Sequence, residues 1–407
     1  MWINIKIGII NLFQKVINSI AVYPAFIVLV FLILSIWSIS FDFSEAGKQF
    51  KSQLPWLSLK DASTARSIIT VVATGIISLT VFSFSMVMIV LNQTASQMSN
   101  RILDKLIGSR FQQLVLGAYV GTIVFALLLL STIRDFDSGV QIPALSTYLL
   151  ILLTIIDIFL FIYFLHYITQ SVKYEVIIQK IYKDTQKALE HSCKLKGEPT
   201  VSTDSKDTVF CMGSGIYQGF NKRTLIELCN KNDCILYLRH PLGTFVMKGT
   251  PVITVNKKLP DDVKEKIFHA LYVYTSEAIE ENYFYGFKQL SEVAIKALSP
   301  GINDPGTAIE SLRALFQLFS YRACNFPNNI IQNNEMKVRI ITRELTFENI
   351  FTQTVLPIWD YGKNDRMIQL EMHSLLDQLQ SIVPHAVVGQ LLQKVKLGMM
   401  YNLSGSQ

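Results

Sequence analysis

Residues Leu145–Thr169 read LSTYLLILLTIIDIFLFIYFLHYIT, a run of 25 positions whose ionisable side chains include one carboxylate, Asp157, and one imidazole, His166, but no Lys or Arg. A helix rises about 1.5 Å per residue, so about 20 such residues cross the hydrocarbon of a bilayer. Inside lipid each backbone polar group needs a partner within the segment, which makes helix the reading for a run this long. Three earlier windows qualify on the same grounds: about Val22–Ile39, Ile68–Leu91 and Leu114–Ile133. The first begins past residue 20, is longer than a signal-peptide core, and leads into no small-x-small cleavage site.

Composition agrees with this division. Half of the 407 residues are apolar and only 17% are charged, against about a quarter in soluble domains. Nearly all of the apolar excess falls before residue 172. The expected architecture is therefore a membrane α-helical domain of four transmembrane helices (residues 1–172), followed by a C-terminal α+β cytoplasmic domain. The latter divides into a helical extension and linker (173–207), a small β-containing module (208–256) and a helical region suited to a bundle (257–407).

Lys and Arg in the flanks set orientation. Lys6, Lys15, Arg101, Lys105, Arg110, Lys173, Lys180, Lys183 and Lys187 fall on one side, against Lys48, Lys51, Lys60, Arg66 and Arg134 on the other. Nine against five places both termini in the cytoplasm. All five cysteines lie after residue 192, and an odd number suits a reducing compartment. A net charge of +6 fits a body beside anionic lipid. With no Lys/Arg-rich tract and no aromatic RNA motif, nucleic acid is not an expected partner.

The second window carries an unusual pattern. At 100° per residue, Ser67, Thr74, Ser78, Ser85, Asn92 and Ser96 fall in a stripe about 40° wide. Such a stripe serves either as the wall of a water-filled path or as hydrogen-bonding glue in the bundle interior, and glue is the commoner use. Gly117-x-x-x-Gly121 of the third window is a close-approach face. Asp157 sits mid-membrane, where a carboxylate must face the bundle, be protonated or meet a partner. No cation lies at its depth, and a hydroxyl of the second helix is the expected neighbour. His166 falls nearer the end of its helix, at an interface.

Several stretches resemble a known family. Phe82–Arg101 reads FSFSMVMIVLNQTASQMSNR and is followed by Gln113-Leu-Val-Leu-Gly117, Phe164-Leu-His166-Tyr-Ile, and Ala297-Leu-Ser-Pro300-Gly-Ile-Asn303-Asp304-Pro305-Gly-Thr307-Ala308. These are similar to the bacterial predicted membrane proteins catalogued as domain of unknown function 2254. The resemblance runs from Tyr23-Pro24 to the C-terminal helices, and the Ser-Pro…Asn-Asp-Pro block is its specific part. It departs from the family at Asn100, Tyr167, Asn221 and the stretch after Tyr274. The resemblance implies a multi-pass membrane protein of bacteria, in the plasma membrane, and brings no activity with it.

In the C-terminal half, Lys173 to about Lys196 continues the fourth helix and Lys196–Asp207 is a loop. Strands are expected at Thr208–Met212, Cys234–Leu238 and Thr250–Val255, with a helix at Thr224–Lys231 capped by Asn221 or Thr224. The Gly and Val spacing here resembles half of a biotinyl/lipoyl barrel. Lys248 is not in a carrier hairpin, so the module reads as structural. Amphipathic helices follow at Asp261–Ser276, Tyr283–Leu298, around Ile350–Trp359 and at Asp365–Leu379. In the specific block, Ser299-Pro300 ends one helix and Asp304-Pro305 starts the next, with a capping carboxylate and Pro at the first helical position. Capping explains Ser299, Asn303, Asp304 and Thr307 residue by residue; convergence of the four on a ligand or cation is the alternative.

No metal-ligand spacing joins the histidines and cysteines, and no nucleotide, hydrolase or zinc-protease motif is present. No cofactor is expected. The leading functional reading is a homo-oligomeric permeation protein gated by its cytoplasmic domain. The alternative is a membrane-anchored regulatory or scaffolding protein whose cytoplasmic domain binds a protein or small ligand, and an enzyme ranks third.

Overall fold

Helices occupy all four apolar windows in the computed structural model of the chain, which describes residues 22–53, 61–97, 110–133, 143–171, 173–197, 205–274 and 282–404. They are α1 (Val22–Phe43), α3 (Ala62–Gln97), α4 (Arg110–Thr132) and α5 (Ala144–Ser171), with a short polar helix α2 (Glu45–Gln53) after the first. All four are long and apolar enough to cross a membrane. Lys6, Lys15, Lys60, Asn100, Arg101, Lys105 and Arg134 lie outside the described residues. The chain divides into two units, one ending at Lys173 and one running from Tyr174 to the C-terminus.

Within the first unit, α1 lies against α4 where the sequence supplies no side chains. A Cβ at Gly117 would stand 2.8 Å from Ile27 Cδ1 and 3.0 Å from Pro24 Cα, and one at Gly121 only 2.6 Å from the Phe31 ring. Small residues thus set the approach of two helices that no hydrophobic effect drives together in lipid. At one end of the bundle Asp42 is fully buried. One oxygen pairs with Lys51 Nζ at 2.8 Å, and the other accepts the Ser146 amide of the first turn of α5, also at 2.8 Å. Ser38 and Ser146 hydroxyls meet beside it at 2.7 Å. Asp42 therefore caps α5 from another helix, placing negative charge at the positive end of its dipole. The α3 helix starts on its own cap, with Asp61 accepting the amides of Ser63 and Thr64.

The second unit opens with α6 (Tyr174–Ser192), a helix of its own. Helix α5 ends at Ser171, and α6 buries Ile177, Ile178, Ile181, Thr185 and Leu189 within the C-terminal unit. It packs there on α9 (Tyr283–Ala297) and α10 (Pro305–Cys324). Helix α9 is buried on nearly every side, as its composition of Phe, Tyr, Leu, Val and Ala requires. Ser291 Oγ donates to the Thr354 carbonyl and Ser311 Oγ to the Leu290 carbonyl, locking α9 to its neighbours. Gly286 admits the Thr185 side chain directly against its backbone. Phe287, Phe316, Phe319, Phe347 and Phe351 form one aromatic cluster, with Phe319 edge-on to Phe347 and Phe351, between α9, α10 and α11 (Phe347–Gly362). Two further helices, α12 (Arg366–Ile382) and α13 (Ala386–Ser404), complete this layer.

The β module has wider roots than residues 208–256. Strand β1 (Cys193–Leu195) pairs with β8 (Phe326–Pro327). A five-stranded sheet runs in the order β2 (Asp207–Phe210), β6 (Pro251–Val255), β4 (Leu236–Leu238), β10 (Val338–Ile341), β9 (Ile330–Gln332). Its β4–β10 pair is parallel, which forces a long crossover through the helical layer. A second sheet has β3 (Gly215–Phe220) between β5 (Phe245–Val246) and β7 (Leu271–Tyr274). Helix α7 (Lys222–Asn232) begins on Asn221, whose side chain accepts the Thr224 amide. Helix α8 (Asp261–His269) is shorter than the amphipathic pattern suggested. Leu271-Tyr-Val-Tyr274 leaves the helix because its β-branched and aromatic residues find a pairing edge on β3. Residues 198–204 of the loop and 275–281 lie outside the described residues.

Candidate functional site

The polar stripe of α3 faces away from the bundle. Ser67, Thr74, Ser78, Ser85 and Asn92 are all exposed, while Ala65, Ile69, Ile76 and Ser83 are buried. On a 100° helical wheel these buried positions fall within about 20° of the direction opposite the stripe. Ala65, Ile69 and Ala73 pack on Phe125, Ala126, Leu129 and Leu150, and Ile76 on Val115, Tyr119, Phe164 and Ile168. The expectation of a bundle-interior stripe is thus corrected for these five residues within a single chain: the apolar face won the interior. The Ser78 hydroxyl bonds back to the Thr74 carbonyl at 2.9 Å. The side chain of Ser96 lies outside the described residues.

Asp157 behaves differently and does face the bundle, at 2% exposure. Its hydroxyl neighbour is Thr122 of α4 rather than a residue of the second span. The second span enters one step further on, where Ser83 faces the phenol of Tyr119, itself an electrostatic neighbour of Asp157. Ser83, Tyr119, Thr122 and Asp157 form a buried polar group contributed by three helices. Although these groups are neighbours, the Ser83, Tyr119 and Thr122 hydroxyls and Asp157 Oδ2 meet no protein partner in hydrogen-bond geometry. Such a group can hold or hand on a proton in a medium that offers no water. His166 is exposed.

The block between α9 and α10 resolves into caps. Asp304 Oδ1 accepts the Thr307 amide at 3.1 Å, and its Oδ2 accepts the Thr307 hydroxyl at 2.6 Å. Ser299 Oγ turns back to the Lys296 carbonyl at 2.6 Å. Asn303 takes the left-handed backbone conformation at φ 50° and leaves its side chain exposed. Hydrogen bonds therefore join Asp304 to Thr307, while Ser299 serves the preceding helix. Both carboxylate oxygens of Asp304 are engaged by the helix they start.

A polar node that the sequence reading passed over lies deeper in this unit. Arg322, on the last turn of α10, is 1% exposed. It donates to the carbonyls of Asn325 at 3.2 Å and Leu345 at 2.9 Å, and its guanidinium lies over the Phe326 ring. Tyr283, Cys193 and Glu344 surround it. Burial pushes the Cys193 thiol up to about 11, with Arg322 opposing, and also raises Tyr283. Glu344 is raised by burial against the Thr342 hydroxyl and Arg322. Acids whose charged forms burial disfavours, gathered around one cation, make this a structural knot that ties up carbonyls at the end of α10. The visible signal was Arg322 itself, at helical spacing from Leu315 and Phe319 on an apolar face. Among the described residues no group of three or more His, Cys, Asp or Glu is placed to hold a metal ion.

A family model described as predicted membrane protein (DUF2254) matches residues 17–378. The chain belongs to this family. Among its relatives are the uncharacterized proteins Mb1321c of Mycobacterium bovis and Rv1290c of Mycobacterium tuberculosis, each 22% identical over 338 residues. The alignment covers 79% of this chain and 64% of either relative, so this chain spans less than two thirds of their length. No solved structure matches. Membership of this DUF2254 family and the four apolar helices together make this a membrane protein.

Proposed function

We propose that the chain assembles into a homo-oligomer in the bacterial plasma membrane, with the exposed stripes of α3 turned toward one another around a polar path, and that the C-terminal unit gates this path from the cytoplasm. One observation carries the reading: Ser67, Thr74, Ser78, Ser85 and Asn92 lie on the face of a membrane-spanning helix opposite the one it packs with. Polar side chains aimed at hydrocarbon are disfavoured and find partners in a second subunit or in water. Uncharged hydroxyls and amides line such a path without the cost of desolvated charge. A path through one four-helix chain would be narrow, which is the reason for placing it on an axis between subunits. The cytoplasmic side follows from the excess of Lys and Arg in the alternate flanks.

Single cysteines at Ser78 and Ser85, in a chain whose exposed Cys324 is replaced by Ser, test the proposal in native membranes. Oxidation should give disulfide-linked dimers, and a charged, membrane-impermeant methanethiosulfonate should react with both positions before oxidation. Cross-linking without any reaction would turn the stripe into a packing seam and favour the scaffolding reading. Neither cross-linking nor reaction would mean that the stripe simply faces lipid, and the proposal would fall.

A further inference from the structure

On the other side of α3, between it and α4, the packing leaves a cavity of about 270 Å³. Val87, Met88 and Leu91 of α3 and Leu116 of α4 give it apolar walls. Ser83 and Tyr119 line it too. They are 4% and 0% exposed, and neither hydroxyl meets a protein partner in hydrogen-bond geometry. Buried polar groups are satisfied in the great majority of cases, and the hydrocarbon region has no bulk water to satisfy them. Gln112 and Gln113 line it as well. The space would hold about nine waters by volume, each wanting two to four polar partners, more than four polar side chains in an otherwise apolar lining offer. An apolar molecule alone would fill the space and leave the two hydroxyls no partner but each other.

We propose that this cavity binds a lipid-soluble molecule with an apolar body and one uncharged carbonyl-type oxygen, the body lying along Val87, Met88, Leu91 and Leu116 and the oxygen accepting from Tyr119 and Ser83. Both hydroxyls can donate, so an acceptor is the complementary chemistry. No Lys or Arg lines the cavity, so an anionic head would lose its water there and find no counter-charge. Ser83 and Val87 lie on the side of α3 opposite the stripe, so the site stands apart from the oligomer proposed above.

The test uses the full chain in lipid nanodiscs and two photoreactive probes with the same diazirine-tipped decyl chain, one on benzoquinone and one on benzene. Peptide mapping should show the quinone labelling the segments that carry Val87–Leu91 and Leu116, saturating at about tenfold lower concentration than the hydrocarbon probe, equivalent to about 1.4 kcal/mol. Tyr119→Phe and Ser83→Ala should erase that difference. Each removes an unpaired buried hydroxyl, so the unliganded variants should melt no lower than the parent, which separates loss of the site from loss of the fold. Equal labelling of the cavity by both probes would overturn the proposal. So would quinone labelling spread over lipid-facing residues such as Phe26 and Phe159.

Discussion

Replacing Asp304 by Ala separates capping from ligand binding in the family's most specific motif. The structure gives the carboxylate two acceptor bonds, from the amide and the hydroxyl of Thr307. Losing an N-cap costs about 1–2 kcal/mol, and losing negative charge at a helix start about 0.3–1 kcal/mol more. Thr307 is buried, so water replaces the lost acceptor poorly and the low end of the summed range does not apply, which leaves a loss of about 2 kcal/mol, near its middle. For a unit of about 230 residues, each kcal/mol moves the melting temperature by about 2–4 °C, giving a fall of about 4–8 °C. A thiol-reactive maleimide dye is the natural assay. Cys193, Cys211, Cys229 and Cys234 are buried, Cys324 is exposed, and all of them belong to the C-terminal unit. With Cys324→Ser as background, the dye reports unfolding of that unit alone. Asp304→Ser keeps a capping oxygen and should recover most of the loss. If Ser at 304 were as unstable as Ala, or if Ala cost nothing, the carboxylate would be serving something other than the helix start, and the capping argument would fail.

Three further outcomes follow from the geometry. Asp42→Asn leaves Lys51 without its buried partner and should destabilise the membrane unit by about 3–5 kcal/mol, whereas Asp42→Asn with Lys51→Met should cost less than the two single changes added; thermal scans by size-exclusion chromatography measure it, and strict additivity would count against the pair. Gly121→Ala drives a methyl into the Phe31 ring and should loosen the bundle, with Phe31→Ala restoring part of the loss; no change in the same scan would show that α1 and α4 are not closely apposed. Burial opposes ionisation of Asp207, but the Leu259 amide, Lys264 and the Thr208 amide outweigh it and hold its carboxyl below the usual range. Its stabilising contribution is therefore complete above the unfolded value of about 3.9 and is lost as pH falls through the lower folded value. Asp207→Asn should lower stability at pH 7 and flatten its decline in acid, followed by the fluorescence of buried Trp359; a parallel decline in both proteins would refute the assignment.

Local chemistry was legible wherever the chain answers its own polar groups. Asn221 and Asp304 cap the helices that follow them, and Pro305 stands at the start of α10, because a capping oxygen reaches only amides two or three residues away. Partners distant in sequence escaped the same reading. The Ser146 amide is capped by Asp42, which is 104 positions earlier. Strand β4 pairs with β10 across the α9–α10 layer. Arg322 donates to the Leu345 carbonyl, 23 positions further on. The strand β7 was hidden inside a helical pattern because four residues alternate too briefly to compete with a helix until β3 offers them an edge.

Four helices long and apolar enough to cross a membrane, and a mixed C-terminal region, were determined by the sequence alone, since the length and apolarity of a run decide its affinity for lipid whatever surrounds it. The wheel of α3 likewise placed Ser67, Thr74, Ser78, Ser85 and Asn92 on one side. Only the tertiary structure decided which way that side points. Two opposite faces of one helix competed for the bundle, and the one bearing Ala and Ile took it, because close packing is decided by the shapes of neighbouring helices and not by spacing along one. The same packing turned Asp157 inward beside Thr122 and brought the Ser83 and Tyr119 hydroxyls to a cavity between the second and third spans.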